Sequence, residues 1–293
     1  MHVFLTGATG WVGAKVAEVL LAAGHQVSGL ARNEEKARAF IAAGGKAVYG
    51  TLDDSQLLFD AAAKADAVIH TAFNHDFSRF AENCAQDERA ITVMGDALRG
   101  SSRPLLVTSG LARLVAGRPA TEEDAPASGP DYLRRSEQAA LALAQQGVKA
   151  ACVRLAPTVH GVGDRGFIPF LIALAKQSGV SAWQEDGSNR WAAVHRNDAA
   201  TVYRLALESG VTQPVYHAVA EEGIAMREIA IAIGKMLGVP AEPREASHFG
   251  WFAGFAGMEM SAASEQTRRT LGWQPAGRDL LTDLHDTDYY VNS

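Results

Sequence analysis

Seven residues near the start, Gly7-Ala8-Thr9-Gly10-Trp11-Val12-Gly13, follow a short apolar run, Val3-Phe4-Leu5-Thr6, and open a stretch of helical period. A G-x-x-G-x-x-G run is weak alone; between a strand and a helix each glycine has a task. Gly7 makes the tight turn, Gly10 lets backbone approach a pyrophosphate, and Gly13 permits close packing of helix on sheet. The N-terminus of the helix offers free N–H donors to phosphates, so Thr9, Trp11 and Val12 join the three glycines as expected dinucleotide contacts.

The rest of the first half repeats that unit. Candidate strands are His2–Thr6, Gln26–Ala31, Lys46–Gly50, Ala67–His70, Pro104–Thr108 and Ala150–Leu155. They are short and largely apolar, as strands covered on both faces must be. Between them lie expected helices at Trp11–Ala23, Glu34–Ala43, Ser55–Ala63, Phe80–Arg99 and Tyr132–Gln146. Six strands with five helical crossovers describe an α/β, doubly wound parallel sheet of the Rossmann type. The rhythm stops near residue 156, where Pro157, Gly161, Gly163 and Gly166 crowd together. We therefore expect a dinucleotide-binding domain over 1–156 and mainly a smaller substrate lobe over 157–293, some segments of which return to the first domain.

About twenty residues after the glycine turn such folds usually present an acid to the ribose 2′-hydroxyl; here the sequence reads Ala31-Arg32-Asn33. A carboxylate would repel a 2′-phosphate, whereas a guanidinium can bind it through two hydrogen bonds. Arg32, with Lys36 one turn on, predicts NADP rather than NAD.

Bulk properties bound the partners. A net charge of −6 over 293 residues, with no Lys/Arg cluster, argues against nucleic acid and membrane surfaces. No apolar run approaches the roughly 20 residues needed to span a bilayer, and the first strand begins at residue 2, so a cytoplasmic protein is expected. Cys84 and Cys152 lack metal-ligand spacing and read as reduced structural thiols; no metal site is expected.

Taken together, several runs resemble the extended branch of the short-chain dehydrogenase/reductase superfamily, with its NAD(P)-dependent epimerases and dehydratases. They are the glycine turn, Gly50-Thr51-Leu52-Asp53-Asp54, Val68-Ile69-His70-Thr71-Ala72, Arg154-Leu155 with Val159-His160-Gly161, Val194-His195-Arg196-Asn197-Asp198, and Leu271-Gly272-Trp273-Gln274-Pro275. The resemblance covers nearly the whole chain. It implies a Rossmann domain with a C-terminal substrate lobe and further cofactor contacts from Leu52, Thr71, Ala72, Phe73 and Pro157. It also implies a homodimer paired through the helices at Phe80–Arg99 and Tyr132–Gln146.

The chain departs from the family in its catalytic pair. Members carry Tyr-x-x-x-Lys, whose lysine favours the phenolate so that tyrosine can exchange a proton with a carbonyl or hydroxyl. Here the segment reads Tyr132-Leu133-Arg134-Arg135-Ser136-Glu137. If Tyr132 is the family tyrosine, the lysine position is Ser136; if Ser136-Glu137 replaces the family's Ser-Lys, the positions are Leu133 and Glu137. Either way the pair is broken. Candidate catalytic residues are then Tyr132, which would share a helical face with Arg135; a strand-end hydroxyl, Thr108 or Ser109; and two histidines, His75 and His160, able to titrate near neutrality. Asn74 and Arg190 are expected substrate contacts. Three readings follow: an NADP(H)-dependent oxidoreductase acting on a carbonyl or secondary alcohol of a small metabolite, a nucleotide-sugar epimerase or dehydratase, and an NADP-binding sensor without chemistry.

Overall fold

The computed structural model describes residues 1–129 and 132–290. Strands and helices alternate through the first half: β1 (His2–Thr6), α1 (Trp11–Ala22), β2 (Gln26–Ala31), α2 (Glu34–Ala42), β3 (Lys46–Tyr49), α3 (Ser55–Ala63), β4 (Ala67–His70), α4 (Phe80–Asp96), β5 (Pro104–Gly110), α5 (Ser136–Gln145) and β6 (Lys149–Leu155). There follow β7 (Thr158–His160), α6 (Phe167–Ser178), β8 (Ser181–Trp183), β9 (Arg190–His195), α7 (Arg196–Glu208), β10 (Val215–Ala218), β11 (Glu221–Ala225), α8 (Met226–Leu237) and β12 (Ala241–Pro243). Four short helices close the chain: α9 (Ala253–Ala256), α10 (Glu265–Leu271), α11 (Leu280–Leu284) and α12 (Thr287–Tyr290).

The main sheet runs β10-β6-β5-β4-β1-β2-β3 and is parallel throughout. Its order reverses between β1 and β4, so a crevice opens beyond their carboxyl ends, where ligands of such sheets bind. Side chains alternate across the strands to fill both faces. Val3 and Leu5 meet Val16, Leu20, Val202 and Tyr203 on the side of α1 and α7. Phe4 and Val68 meet Leu58, Ile91, Met94 and Leu143 on the side of α3, α4 and α5. Each such side chain, fully removed from water, stabilises the fold by about 1.5–3 kcal/mol relative to exposure.

β10, far along the chain, belongs to this sheet, beside β6, so the chain leaves for the small lobe and comes back. The small lobe holds a three-stranded sheet, β11-β9-β7, and a parallel pair, β12-β8, around a core of Trp191, Ile229 and Phe252. Among the described residues no helix is long and apolar enough to cross a membrane.

Two expected helices are shorter than the sequence suggests: α4 ends at Asp96, not Arg99, and α5 lacks its expected first turn. α5 begins at Ser136, and Tyr132–Arg135 precede it without helical structure. The cause is tertiary: the Arg134 guanidinium is drawn to the end of β5, donating from Nη2 to the Thr108 carbonyl at 3.3 Å.

Candidate active site

The glycine turn is built around contacts that tolerate no side chain. Gly7 sits at φ +76°, a left-handed conformation that favours glycine, and a Cβ there would lie 2.6 Å from Thr71 Oγ1 and 2.7 Å from the Ala72 nitrogen. A Cβ on Gly13 would lie 2.1 Å from the Gly7 carbonyl oxygen. No side chain caps α1 at Gly10, so its first N–H groups remain for an anion. The cradle fits a dinucleotide pyrophosphate. Trp11 locks the helix start to the small lobe, donating from Nε1 to the Val159 carbonyl at 2.8 Å beneath Arg196, whose guanidinium lies 4.1 Å from the ring centroid. Arg32 stands exposed after β2 with no hydrogen bond or ion pair among the described residues. Asn33 caps α2 by accepting from the Lys36 N–H at 3.0 Å, leaving the Lys36 side chain exposed. Leu52 is half-buried against the α3–α4 face, and Pro157 links β6 to β7.

Beyond β4 and β5 lies a cation that the sequence reading passed over. Arg134 is half-buried, with its guanidinium carbon 4.3 Å from the Phe73 ring centroid, and its Nε donates to Ser136 Oγ at 3.0 Å. A chain of buried polar groups stands behind it. Ser136 Oγ donates to Asp87 at 2.5 Å, Asp87 meets His70 Nε2 at 2.9 Å, and His70 Nδ1 meets Thr6 Oγ1 at 2.7 Å. Burial alone would raise the Asp87 carboxyl, but the His70 bond together with the Arg134 charge holds it below its ordinary range. Arg134 is thus tied to a carboxylate through one hydroxyl.

His75 lies on the same rim. It is exposed, its ring edge-on to Phe73 at 5.3 Å between centroids. Desolvation by the surrounding rings, then the Arg134 charge, lower its pKa from the ordinary 6.5. Asn74 beside it is exposed, with its Oδ1 accepting from the Asp76 N–H at 3.2 Å.

Other candidates lie elsewhere. Tyr132, outside the helix, lines a groove between α4 and α5 with Glu88, Thr92 and Arg135, and burial raises its phenol pKa. That is opposite to the shift a family tyrosine needs, and the helical face assumed for Tyr132 and Arg135 does not form. His160 is fully buried, with Nδ1 2.7 Å from the Asp283 carboxylate, which removes it from substrate reach. Thr108 Oγ1 is spent on the His70 carbonyl and the Tyr203 hydroxyl, both at 2.7 Å. Ser109 is buried opposite Arg154 in the strand register. The next residue, Gly110, ends β5 against open space, for an added Cβ would meet nothing within 4 Å. Arg190 is exposed at the start of β9, on the small lobe.

The broken catalytic pair also has a structural explanation. Glu137 is buried and forms a two-point pair with Arg154, at 2.6 and 2.9 Å. Arg154 further donates to the carbonyls of Thr121 and Asp124. In the register that puts the family lysine at Glu137, that position is therefore committed to a buried ion pair.

Comparisons with known proteins agree with this architecture. The model of the NAD dependent epimerase/dehydratase family matches residues 3–219. Uncharacterized protein C2A9.02 of Schizosaccharomyces pombe is 45% identical over 99% of this chain and 100% of its own length. A 4-hydroxy-2-methyl-3-oxo-4-farnesyl-3,4-dihydroquinoline-1-oxide ketoreductase of Stigmatella aurantiaca is 26% identical over 95% of this chain and 92% of its own. Among solved structures, DesIV, a dTDP-glucose 4,6-dehydratase from Streptomyces venezuelae crystallised with NAD, superposes with a TM-score of 0.78 at 20% identity, covering 99% of this chain and 96% of that one. The glycine cradle, the sheet order and these matches together make the chain a member of the NAD dependent epimerase/dehydratase family, within the extended short-chain dehydrogenase/reductase superfamily.

Proposed function

We propose that the protein is an NADP(H)-dependent oxidoreductase that interconverts a carbonyl and a secondary alcohol of a small substrate, with Arg134 and His75 in place of the family's tyrosine and lysine. The observation that carries the reading is Arg134 itself. A guanidinium has five N–H donors, and among the described residues two are engaged, by Ser136 Oγ and the Thr108 carbonyl. Three remain for a substrate oxygen at the ends of β4 and β5, beside the open space at Gly110. A reduced dinucleotide held by the glycine cradle would supply a hydride, with its electron pair, to the carbonyl carbon. Arg134 stabilises the negative charge developing on the oxygen, and His75 delivers the proton that completes the alcohol. In the reverse direction neutral His75 takes that proton. Arg32 and Lys36 select NADP by its 2′-phosphate, and Asn74 and Arg190 contact the substrate. The exposed groove between α4 and α5 accepts a second copy of the chain, which light scattering would report as a dimer. The buried free thiols of Cys84 and Cys152 accord with a cytoplasmic location.

The test is NADPH oxidation across a panel of aldehydes and ketones, repeated with Arg134→Ala and Arg134→Lys. Arg134→Ala should lower kcat about 10²–10³-fold, the usual cost of losing an oxyanion donor, with NADPH affinity retained. Full turnover by Arg134→Ala would exclude the assignment. Tight NADPH binding by the native protein without turnover of any carbonyl would favour the sensor, and a conversion in which the cofactor ends unchanged would favour an epimerase or dehydratase.

A further inference from the structure

A continuous run of aromatic rings leads away from Arg134 across the mouth of the crevice. Phe73 meets Phe80 at 6.1 Å, Phe80 stacks with Phe77 at 6.0 Å, and Phe77 stacks with Trp251 at 5.1 Å and 29° between planes. Trp251 then meets Phe170 of α6 at 5.2 Å. The first three rings belong to the segment after β4 and to the start of α4, whereas Trp251 and Phe170 belong to the small lobe. The Phe77–Trp251 stack thus joins the two lobes.

Both of these rings are left open to water. Trp251 is 57% and Phe77 37% exposed, whereas Phe249 and Phe252 on either side of Trp251 are buried in the small-lobe core. Gly250 causes the division: its φ of 54° and ψ of −130° interrupt the helical turns of Ala246–Phe252 and turn the next side chain outward. Large aromatics left partly in water side by side mark a surface that binds something flat. Asp76, the nearest carboxylate in the sequence, is occupied by the Ser78 N–H and hydroxyl at 3.1 and 2.5 Å. Arg134 meets the ring run directly, over Phe73.

Resting on the oxidoreductase reading above, we infer that the substrate is a planar conjugated carbonyl compound, an aryl ketone or aryl aldehyde, whose rings lie along Phe73, Phe77 and Trp251 while its oxygen meets Arg134. A ring conjugated with the carbonyl keeps both in one plane, so one flat body can satisfy the aromatic face and the guanidinium together. A puckered aliphatic ring of equal carbon count fills similar volume but stacks poorly.

The experiment compares acetylnaphthalene with acetyldecalin, flat and puckered methyl ketones of one carbon skeleton. Their affinities are measured by calorimetry with the protein saturated in NADP⁺, where a ketone cannot be reduced. The flat ketone should bind about tenfold more tightly, the preference should vanish in Trp251→Ala, and most of it should persist in Trp251→Phe. Equal affinities in the native protein, or a full preference surviving in Trp251→Ala, would overturn the inference. Turnover with NADPH is read separately. Preferential binding without turnover would refute the oxidoreductase reading and leave the ring preference standing; turnover of both ketones with equal affinity would do the reverse.

Discussion

Removing the Arg32 side chain should separate the two nicotinamide cofactors. The guanidinium stands beyond β2 with no carboxylate partner among the described residues, so a 2′-phosphate would gain hydrogen bonds without breaking an ion pair first. A hydrogen bond to a charged group contributes about 1.5–3 kcal/mol, or roughly 10- to 150-fold in affinity. Solvent exposure and the neighbouring Glu34 and Glu35 at the start of α2 weaken the charge, which places the expected loss near the lower limit, about tenfold. NADH has no group at that position and should bind Arg32→Ala as it binds the native protein. The assay is titration of both reduced cofactors by nicotinamide fluorescence at low and at moderate salt. The tenfold difference should shrink as salt rises, because the interaction is screened. An equal loss for NADH and NADPH would refute the reasoning, since it would mean that Arg32 shapes the adenine side of the site without reading the phosphate.

Four further outcomes follow from the same contacts. Gly13→Ala places a Cβ 2.1 Å from the Gly7 carbonyl oxygen, a backbone atom that cannot swing aside; it should cost at least about 1–3 kcal/mol of stability and lower affinity for both cofactors, visible in thermal melts with and without NADPH. Glu137→Gln leaves Arg154 buried without its anion at a cost of about 3–5 kcal/mol, and Tm should fall by roughly 6–10 °C; an unchanged melt would show that the Thr121 and Asp124 carbonyls suffice. The pKa of His75 lies below 6.5, so carbonyl reduction should decline with rising pH from below that value while alcohol oxidation rises through the same window and levels off, and His75→Gln should flatten both profiles. For His160, burial would lower the pKa, but the Asp283 and Glu221 carboxylates together outweigh it and the net shift is upward, so its stabilisation is complete below about pH 6.5 and lost as pH rises through the folded value; the Tm gap between native protein and His160→Gln should narrow from pH 6 to pH 9.

How far the molecule could be read from its sequence depended on the range of the forces involved. Strands buried on both faces must be short apolar runs, and a glycine turn between strand and helix has a local cause, so β1 to β6 and the cofactor cradle were legible. The place of β10 beside β6 was not, because apolar periodicity marks a strand without naming its neighbour. The same limit misplaced His160: its loop position suggested a site, but it is covered by Asp283, 123 residues later. Arg134 was overlooked for Arg135 on the assumption of a helix through both. The helix yields there, where contacts to Ser136 and Thr108 hold Arg134. One signal was available in α4, where Asp87 shares the spacing of Ala90, Ile91 and Met94, three residues on a buried face. An aspartate in an apolar stripe needs a partner, and here it has two, His70 and Ser136.

That pairing bears on what the lost Tyr-x-x-x-Lys pair means. A site that has merely decayed should leave unpaired groups or small residues where the tyrosine and lysine acted. In this chain Glu137 is satisfied by Arg154, and Ser136 joins Asp87 to Arg134. Burying Asp87 as an anion costs several kcal/mol unless each oxygen is bonded, and both are, one by His70 and one by Ser136. The chain from Thr6 through His70, Asp87 and Ser136 therefore reaches from the strand that carries the glycine turn to the Arg134 cation above Phe73. It fixes that cation through the protein's own hydrogen bonds, which is the condition an electrostatic catalyst has to meet. Under the proposed oxidoreductase reading, Arg134 is the residue that takes over the family's chemistry.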